Sequence, residues 1–224
     1  MFDRQMFKEY TKELERNPKY LSPQNFIIPQ IIEKGERGER MYDLFSRLME
    51  DRIIIISGLI NEFVAAIVTG QLLFLHKENK MQDIHVYVMS PGGGVTAGLS
   101  IYDTMQFVTC DTATFAIGIA ASMGALILTG GTKGKRFSLP HSRIMIHQPW
   151  GGIGGTAEDI RRQADEVLEE KKIILEIFAR HTGKPLEQIE KDADRDKYMS
   201  PAQAMEYGII DEVITTLKQG KKKK

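Results

Sequence analysis

The chain has few of the residues that build disulfide-linked, nucleic-acid-binding or membrane-spanning proteins. Its 224 residues include one cysteine, Cys110, so neither an intrachain disulfide nor a thiolate metal cluster is possible. The 30 basic residues equal the 30 acidic ones, which argues against nucleic acid as the main partner because phosphate binding requires a net basic face. The longest apolar run, near 113–128, is interrupted by Gly118, Ser122 and Gly124 and cannot span a bilayer. These deficits predict a cytoplasmic protein without metal or membrane contact.

The two ends of the chain differ in composition from its middle. Residues 1–25 combine helical apolar spacing with a Pro- and Ser-containing stretch, which predicts an N-terminal extension that is a removable propeptide, a docking arm or a loosely ordered end. Residues 217–224 include the four lysines that close the chain, a composition typical of a disordered tail. Residues 26–216 are expected to form one catalytic domain.

Short β-branched or aromatic runs alternate with helix-length segments in this central region. The strand candidates are 53–57, 84–89, 114–118 and 143–146, and the helix candidates are 61–76, 95–108 and 122–130. The repeated order of strand, helix and strand predicts an α/β fold with a largely parallel sheet covered by helices.

A further helix is predicted from Thr156, which opens a capping-box-like sequence with Asp159, to about His181. Gly183 then ends it. An apolar stripe of Ile160, Val167, Ile174 and Phe178 runs along this helix. A stripe of this length must be buried, either on a partner subunit or across the helix's own sheet.

Ser122 is the strongest candidate for a reactive side chain. It lies among small residues in Gly118-Ile119-Ala120-Ala121-Ser122-Met123-Gly124-Ala125, where a strand-like run gives way to a helix-like run. A helix N-terminus offers free backbone N–H groups that stabilise a developing oxyanion. Because serine alone is a weak nucleophile, a base and an orienting acid are also required.

His147 is the best placed base, because it follows the strand candidate 143–146 and precedes Gln148-Pro149. His181 instead falls near the end of the long helix, where a cation would be favourable. The orienting acid is one of Asp192, Asp194 and Asp196, which lie in a charge-dense run that a solvated loop would also explain.

A second glycine-rich segment, Ser90-Pro91-Gly92-Gly93-Gly94, follows the strand candidate 84–89. It lacks the GxGxxG spacing and a following Lys-Ser/Thr pair, so nucleotide binding is not favoured. Two interpretations stay open. The segment is either a tight strand-to-helix turn or a turn whose Gly93 N–H group converges with that of Met123 on Ser122 to form an oxyanion hole.

Taken together, the motifs resemble the family of Clp protease proteolytic subunits, the ClpP family, over about residues 28–214. The matching segments are Ser90-Pro91-Gly92-Gly93, Ile101-Tyr102-Asp103-Thr104-Met105-Gln106-Phe107, Ala120-Ala121-Ser122-Met123-Gly124-Ala125, Met145-Ile146-His147-Gln148-Pro149 and Asp194-Arg195-Asp196. Three positions depart from the family pattern without removing a catalytic group: Ile119, Gly94 and Trp150.

The resemblance implies a serine endopeptidase with a crotonase-like α/β fold of repeated ββα and βα units and a long handle helix. Ser122 would be the nucleophile, His147 the general base and Asp196 the acid that orients the imidazole. Gly93 and Met123 would supply the oxyanion hole.

The resemblance also implies an assembly of two stacked heptameric rings that encloses a chamber for protein substrates. Arg195 would form a ring-to-ring contact, and a AAA+ unfoldase of the Clp family would dock on Tyr87, Phe107, Phe137 and Leu139. The family pattern further implies self-cleavage near Asn25-Phe26. The chain has no ATP-binding loop, so ATP would be used only by the partner, and this chain is expected to need no cofactor.

Two other functions compete with this one. A crotonase-type acyl-CoA hydratase or isomerase would share the fold and its oxyanion hole, but it has no use for a Ser-His-Asp set. A catalytically silent ring subunit would lack members of the triad, whereas all three positions are filled here.

Overall fold

The computed structural model describes residues 28–35, 38–152 and 154–216. The chain divides into two compact units, 1–47 and 48–224. The first contains an antiparallel hairpin of β1 (Gln30–Gly35) and β2 (Gly38–Asp43), and helix α1 (Leu44–Glu50) begins in it. The predicted extension 1–25, its processing site and the tail 217–224 lie outside the described residues, so those domain boundaries stay predictions.

The second unit carries the alternating strands and helices that the sequence pattern predicts. Its strands are β3 (Ile53–Ile60), β4 (Ile84–Gly93), β5 (Thr112–Ala121), β6 (Arg136–Ser138), β7 (Arg143–Ile146), β8 (Lys197–Met199) and β9 (Glu212–Val213). Its helices are α2 (Glu62–Glu78), α3 (Val95–Phe107), α4 (Met123–Thr129), α5 (Ala157–Thr182), α6 (Leu186–Ala193) and α7 (Pro201–Tyr207).

The strands form one sheet in the order β3, β4, β5, β6, β9, with every neighbouring pair in this path parallel. Strand β5 is paired with β6 along its first half and with β7 near its end. Strand β8 joins β7 in antiparallel orientation. The predicted α/β fold with a largely parallel sheet is therefore confirmed, with one antiparallel strand that the pattern did not reveal.

Two strands run further than the sequence pattern suggests. Residues 90–93, expected to be a turn, belong to β4, and Ile60 of β3 pairs with Gly93. Strand β5 likewise continues past Gly118 to Ala121. The β3–β4 ladder shifts register between Ser57 and Leu59, and the Gly58 between them has φ +75°. A glycine in this conformation lets a bulged strand bend and continue, so it does not end the strand.

Helix α5 follows the predicted bounds closely. Thr156 and Asp159 form a capping box at its start, and Gly183 closes its end with φ 74°. Only the second half of the predicted apolar stripe joins the core of the chain: Ile174 and Phe178 are buried, whereas Ile160 is 39% exposed. The second half of the stripe is therefore buried within this chain, and burial of the first half on a partner subunit stays a prediction.

Candidate active site

Ser122 occupies a strained turn between β5 and α4. Its backbone has φ 54° and ψ −123°, a conformation that side-chain-bearing residues rarely adopt. Its N–H group donates to the carbonyl oxygen of Met145 at 2.8 Å, which ties the turn to the end of β7. A strained serine at a strand-to-helix turn is the geometry that presents a hydroxyl for nucleophilic attack.

His147 and Asp196 are brought together by the register of β7 and β8. Ile146 pairs with Lys197 in this antiparallel ladder, so the next opposed residues are His147 and Asp196. The imidazole Nδ1 atom lies 3.0 Å from Asp196 Oδ1, and the two side chains are only 10% and 20% exposed. A carboxylate on Nδ1 holds the ring orientation and leaves Nε2 to act on a substrate or nucleophile.

The other two acids of this region point to different partners. Asp194 accepts a hydrogen bond from the side chain of Gln148 at 3.2 Å, and Asp192 is bonded to Gln188, Lys197 and Tyr207. Of the three acids that the sequence left open, Asp196 is therefore the one that contacts His147.

The end of β4 packs directly against the Ser122 turn. A Cβ atom at Gly92 would lie 2.6 Å from Ser122 Cβ and 3.1 Å from Ser122 Oγ. Gly92 N–H donates to the hydroxyl of Ser90 at 3.0 Å, and that hydroxyl donates to the carbonyl oxygen of Gly58 at 2.6 Å. Sequence reasoning named Gly93 at this site and missed Gly92, the residue whose lack of a side chain leaves room for the serine.

The two predicted oxyanion donors are the residues that follow the two members of this contact along the chain, Gly93 after Gly92 and Met123 after Ser122. Gly93 follows Gly92 with φ +156°, and a Cβ atom there would lie 2.0 Å from the carbonyl oxygen of Ile60. Met123 is the first residue of α4, a position whose N–H group has no partner within its own helix. The serine hydroxyl is thus bordered by a glycine strand end and a helix N-terminus.

His181 is not the cation that its position near a helix C-terminus would favour. Its Nε2 atom lies 2.8 Å from the Tyr102 hydroxyl. Burial, followed by the nearby Arg136 and Arg180, lowers the pKa of His181 to about 4. The ring is therefore neutral near pH 7, because desolvation outweighs the attraction of the helix C-terminus.

The residues predicted to dock an unfoldase fall into two places. Tyr87 and Phe137 stack on opposite sides of Phe115, because the register aligns these positions across β4, β5 and β6. The ring centroid of Phe115 lies 4.5 Å from that of Tyr87 and 5.0 Å from that of Phe137. Leu139 follows β6 and is half-buried. Phe107 ends α3 and is 76% exposed. Phe115 completes the aromatic row, and its lateral position could not be inferred without the strand register.

Two surface residues complete the placement of the predicted site. The side chain of Arg195 is 75% exposed and forms an ion pair with Asp194 at 3.3 Å. Trp150 follows His147 by three residues and is 59% exposed.

Within the described ranges, the acidic, histidine and cysteine side chains form no group suited to hold a metal ion. No helix in the same ranges has both the length and the apolar character needed to cross a membrane.

A parallel sheet that carries a strained serine and a neighbouring histidine–carboxylate pair is typical of α/β enzymes that transfer acyl groups. A family model described as Clp protease matches residues 36–217, most of the chain. The chain therefore belongs to the Clp protease family and is a ClpP-type protease, as its motifs indicated. Membership implies peptidase activity and association with Clp unfoldases in general.

Proposed function

We propose that the protein is a serine endopeptidase in which Ser122 is the nucleophile, His147 the general base and Asp196 the acid that orients the imidazole. One observation carries the proposal. The strained Ser122 turn is hydrogen-bonded to Met145, two residues before the histidine that is itself paired with a carboxylate. Backbone strain of this kind persists where the surrounding structure enforces it, and it concentrates at reactive residues.

The reaction follows from the roles of the three side chains. Ser122 Oγ attacks the peptide carbonyl carbon while His147 Nε2 accepts the hydroxyl proton, and the carbonyl oxygen becomes an oxyanion. The C–N bond then breaks, and the imidazolium returns the proton to the leaving amine. Water, deprotonated by the same imidazole, attacks the acyl-enzyme and releases the carboxylic acid and the free serine.

The oxyanion is assigned to the N–H groups of Gly93 and Met123. Support comes from the position of Met123 at the start of α4 and from the contact of Gly92 with Ser122, because Gly93 is the next residue along the strand. Donors that are fixed before the reaction stabilise the developing charge without reorganisation.

The proposal extends to the assembly and its partner. Two stacked heptameric rings would enclose the active sites, and a AAA+ unfoldase would feed unfolded polypeptides into the chamber and use the ATP. The exposed Ile160 and Leu168 of α5 support a contact between subunits there. The row of Tyr87, Phe115 and Phe137, whose two outer members are half-buried, supports docking on the sheet face. A single cysteine suits a reducing compartment such as the cytoplasm.

Peptide hydrolysis by the wild type, Ser122→Ala and Ser100→Ala tests the catalytic assignment. Ser100 is an exposed serine of α3 and serves as the matched control. We expect a fluorogenic peptide to be cleaved by the wild type and the control but not by Ser122→Ala, with particle size equal in all three. An active Ser122→Ala variant would refute the nucleophile. Turnover of an acyl-CoA without peptide cleavage would instead favour the crotonase-type enzyme.

A further inference from the structure

A second carboxylate, Asp192, lies four residues before Asp196 and joins three elements of the fold. Its Oδ1 atom accepts a hydrogen bond from Lys197 Nζ at 2.6 Å. Its Oδ2 atom accepts from the Tyr207 hydroxyl at 2.9 Å and from Gln188 Nε2 at 2.8 Å. The side chain is 15% exposed. The carboxylate therefore connects α6 to the first residue of β8 and the last residue of α7.

These bonds bear on Asp196 because Lys197 is its immediate neighbour. The ammonium group of Lys197 is held by Asp192, so the side chain that follows the orienting acid is tied to the last turn of α6. The opposite side of the same loop is fixed by Gln148, whose backbone N–H group donates to Ala193 at 2.7 Å. Gln148 follows His147, so both members of the histidine–carboxylate pair are anchored to one short segment.

The charges of this cluster are stable near pH 7. Burial alone would raise the pKa of Asp192, but the hydrogen bonds from Lys197, Gln188 and Tyr207 lower it, so the group is ionised. Burial and the contact with Asp192 raise the pKa of Tyr207, so the phenol stays a donor. Lys184 and Lys197 lie 4.7 Å and 5.0 Å from the centre of the Tyr207 ring, within the range of cation–π attraction.

We propose that Asp192 is a positioning residue for peptide hydrolysis, whose carboxylate holds Lys197 and thereby sets the orientation of Asp196 toward His147 Nδ1. The inference rests on the roles proposed above for Ser122, His147 and Asp196. Asp192 acts through the backbone of its neighbours and does not touch the substrate. Its loss should therefore change the chemical step more than substrate binding.

The kinetic test compares Asp192→Asn with Glu187→Gln in the full chain. Glu187 is an exposed acid on the same helix, so the control loses the same charge away from the cluster. We expect Asp192→Asn to lower kcat for a fluorogenic peptide about tenfold or more, the equivalent of one charge-assisted hydrogen bond, with KM unchanged. Glu187→Gln should keep the wild-type kcat. Thermal midpoint and particle size, read on the same samples, separate a folding defect from a positioning defect.

A spectroscopic test does not depend on activity. In protein labelled with ¹⁵N-histidine, the proton shared by His147 Nδ1 and Asp196 should give a low-field resonance, assigned by its loss in Asp196→Asn. We expect Asp192→Asn to shift or broaden it and Glu187→Gln to leave it unchanged. A wild-type protein without peptidase activity would contradict the proposed function. The resonance would still show whether Asp192 positions Asp196 toward His147.

A wild-type kcat together with an unshifted resonance in Asp192→Asn would overturn the proposal. If that variant does not fold, Tyr207→Phe takes its place, because it removes one hydrogen bond to the same carboxylate and keeps the ring. We expect a smaller fall in kcat and a smaller shift of the resonance. Wild-type values for both in the folded Tyr207→Phe variant would equally contradict the positioning role.

Discussion

Replacing Ser122 by glycine should stabilise the protein relative to replacing it by alanine, although both changes remove the nucleophile. The backbone at this position has φ 54° and ψ −123°, which costs a residue with a Cβ atom about 1–3 kcal/mol. Glycine escapes most of this strain, and it loses about 0.5–1 kcal/mol through the greater entropy of the unfolded chain. The difference leaves glycine more stable than alanine by about 1 kcal/mol.

The assay is differential scanning calorimetry of Ser122→Gly and Ser122→Ala at equal protein concentration, because association shifts the midpoint of unfolding. For a chain of this size, 1 kcal/mol corresponds to about 2–4 °C in Tm. Neither variant should cleave peptide, so stability is compared between two inactive proteins. The loss of the hydroxyl is common to both and cancels in the comparison.

The variants Ser100→Gly and Ser100→Ala serve as a matched control for the effect of glycine on stability. Ser100 lies on the exposed face of α3 and donates to the carbonyl oxygen of Ala97 at 2.8 Å. At an ordinary helical position glycine is less stable than alanine by about 1 kcal/mol, so the two sites should show opposite orders. If Ser122→Gly were no more stable than Ser122→Ala, the strain attributed to the turn would be absent and the main support for the nucleophile would be lost.

Three further changes test other parts of the structure. Gly92→Ala would set a Cβ atom 2.6 Å from that of the serine, so peptidase activity should be lost, whereas Gly94→Ala, with its nearest neighbour at 3.6 Å, should stay active in the same assay. His181→Gln should flatten the dependence of the free energy of unfolding on pH. Because folding lowers the pKa of the histidine from 6.5 to about 4, its contribution to the free energy of unfolding is complete above pH 6.5 and declines as the pH falls toward about 4. The slope is less than about 1.4 kcal/mol per pH unit. An unchanged slope in the variant would contradict the burial argument. Asp211→Asn should cost about 3–5 kcal/mol in denaturant unfolding at pH 7 because it leaves the guanidinium of Arg136 without its carboxylate partner, and that side chain is only 4% exposed.

The parallel sheet and the Ser122 turn could be predicted because their signals are local. Buried strands are continuous apolar runs, and the segments between them are long enough to be the crossover helices that connect parallel strands. Small residues around Ser122 predict a tight strand-to-helix turn on the same grounds. The capping box of Thr156 and Asp159 was equally visible, since both of its hydrogen bonds span three residues.

The contacts between distant segments could not be predicted in this way. Local sequence features left Asp192, Asp194 and Asp196 open, and only the family resemblance pointed to Asp196. In the structure the contact of Asp196 with His147 depends on the pairing of Ile146 with Lys197. A shift of that register by one residue would turn the acid to the other face of the strand. The exposure of Ile160 and the burial of His181 are likewise set by packing that has no local signature.

The antiparallel strand β8 explains how a short segment serves the active site. A strand parallel to β7 would run in the same direction, so the chain would need a crossover connection before that strand could begin. The residue beside His147 would then be the one that follows the strand. Because β8 runs the opposite way, the residue that precedes it meets the residue that follows β7, which makes Asp196 the partner of His147. The position of the acid therefore depends on whatever fixes the start of β8, and the bond from Lys197 to Asp192 is the contact that ties this start to the end of α6.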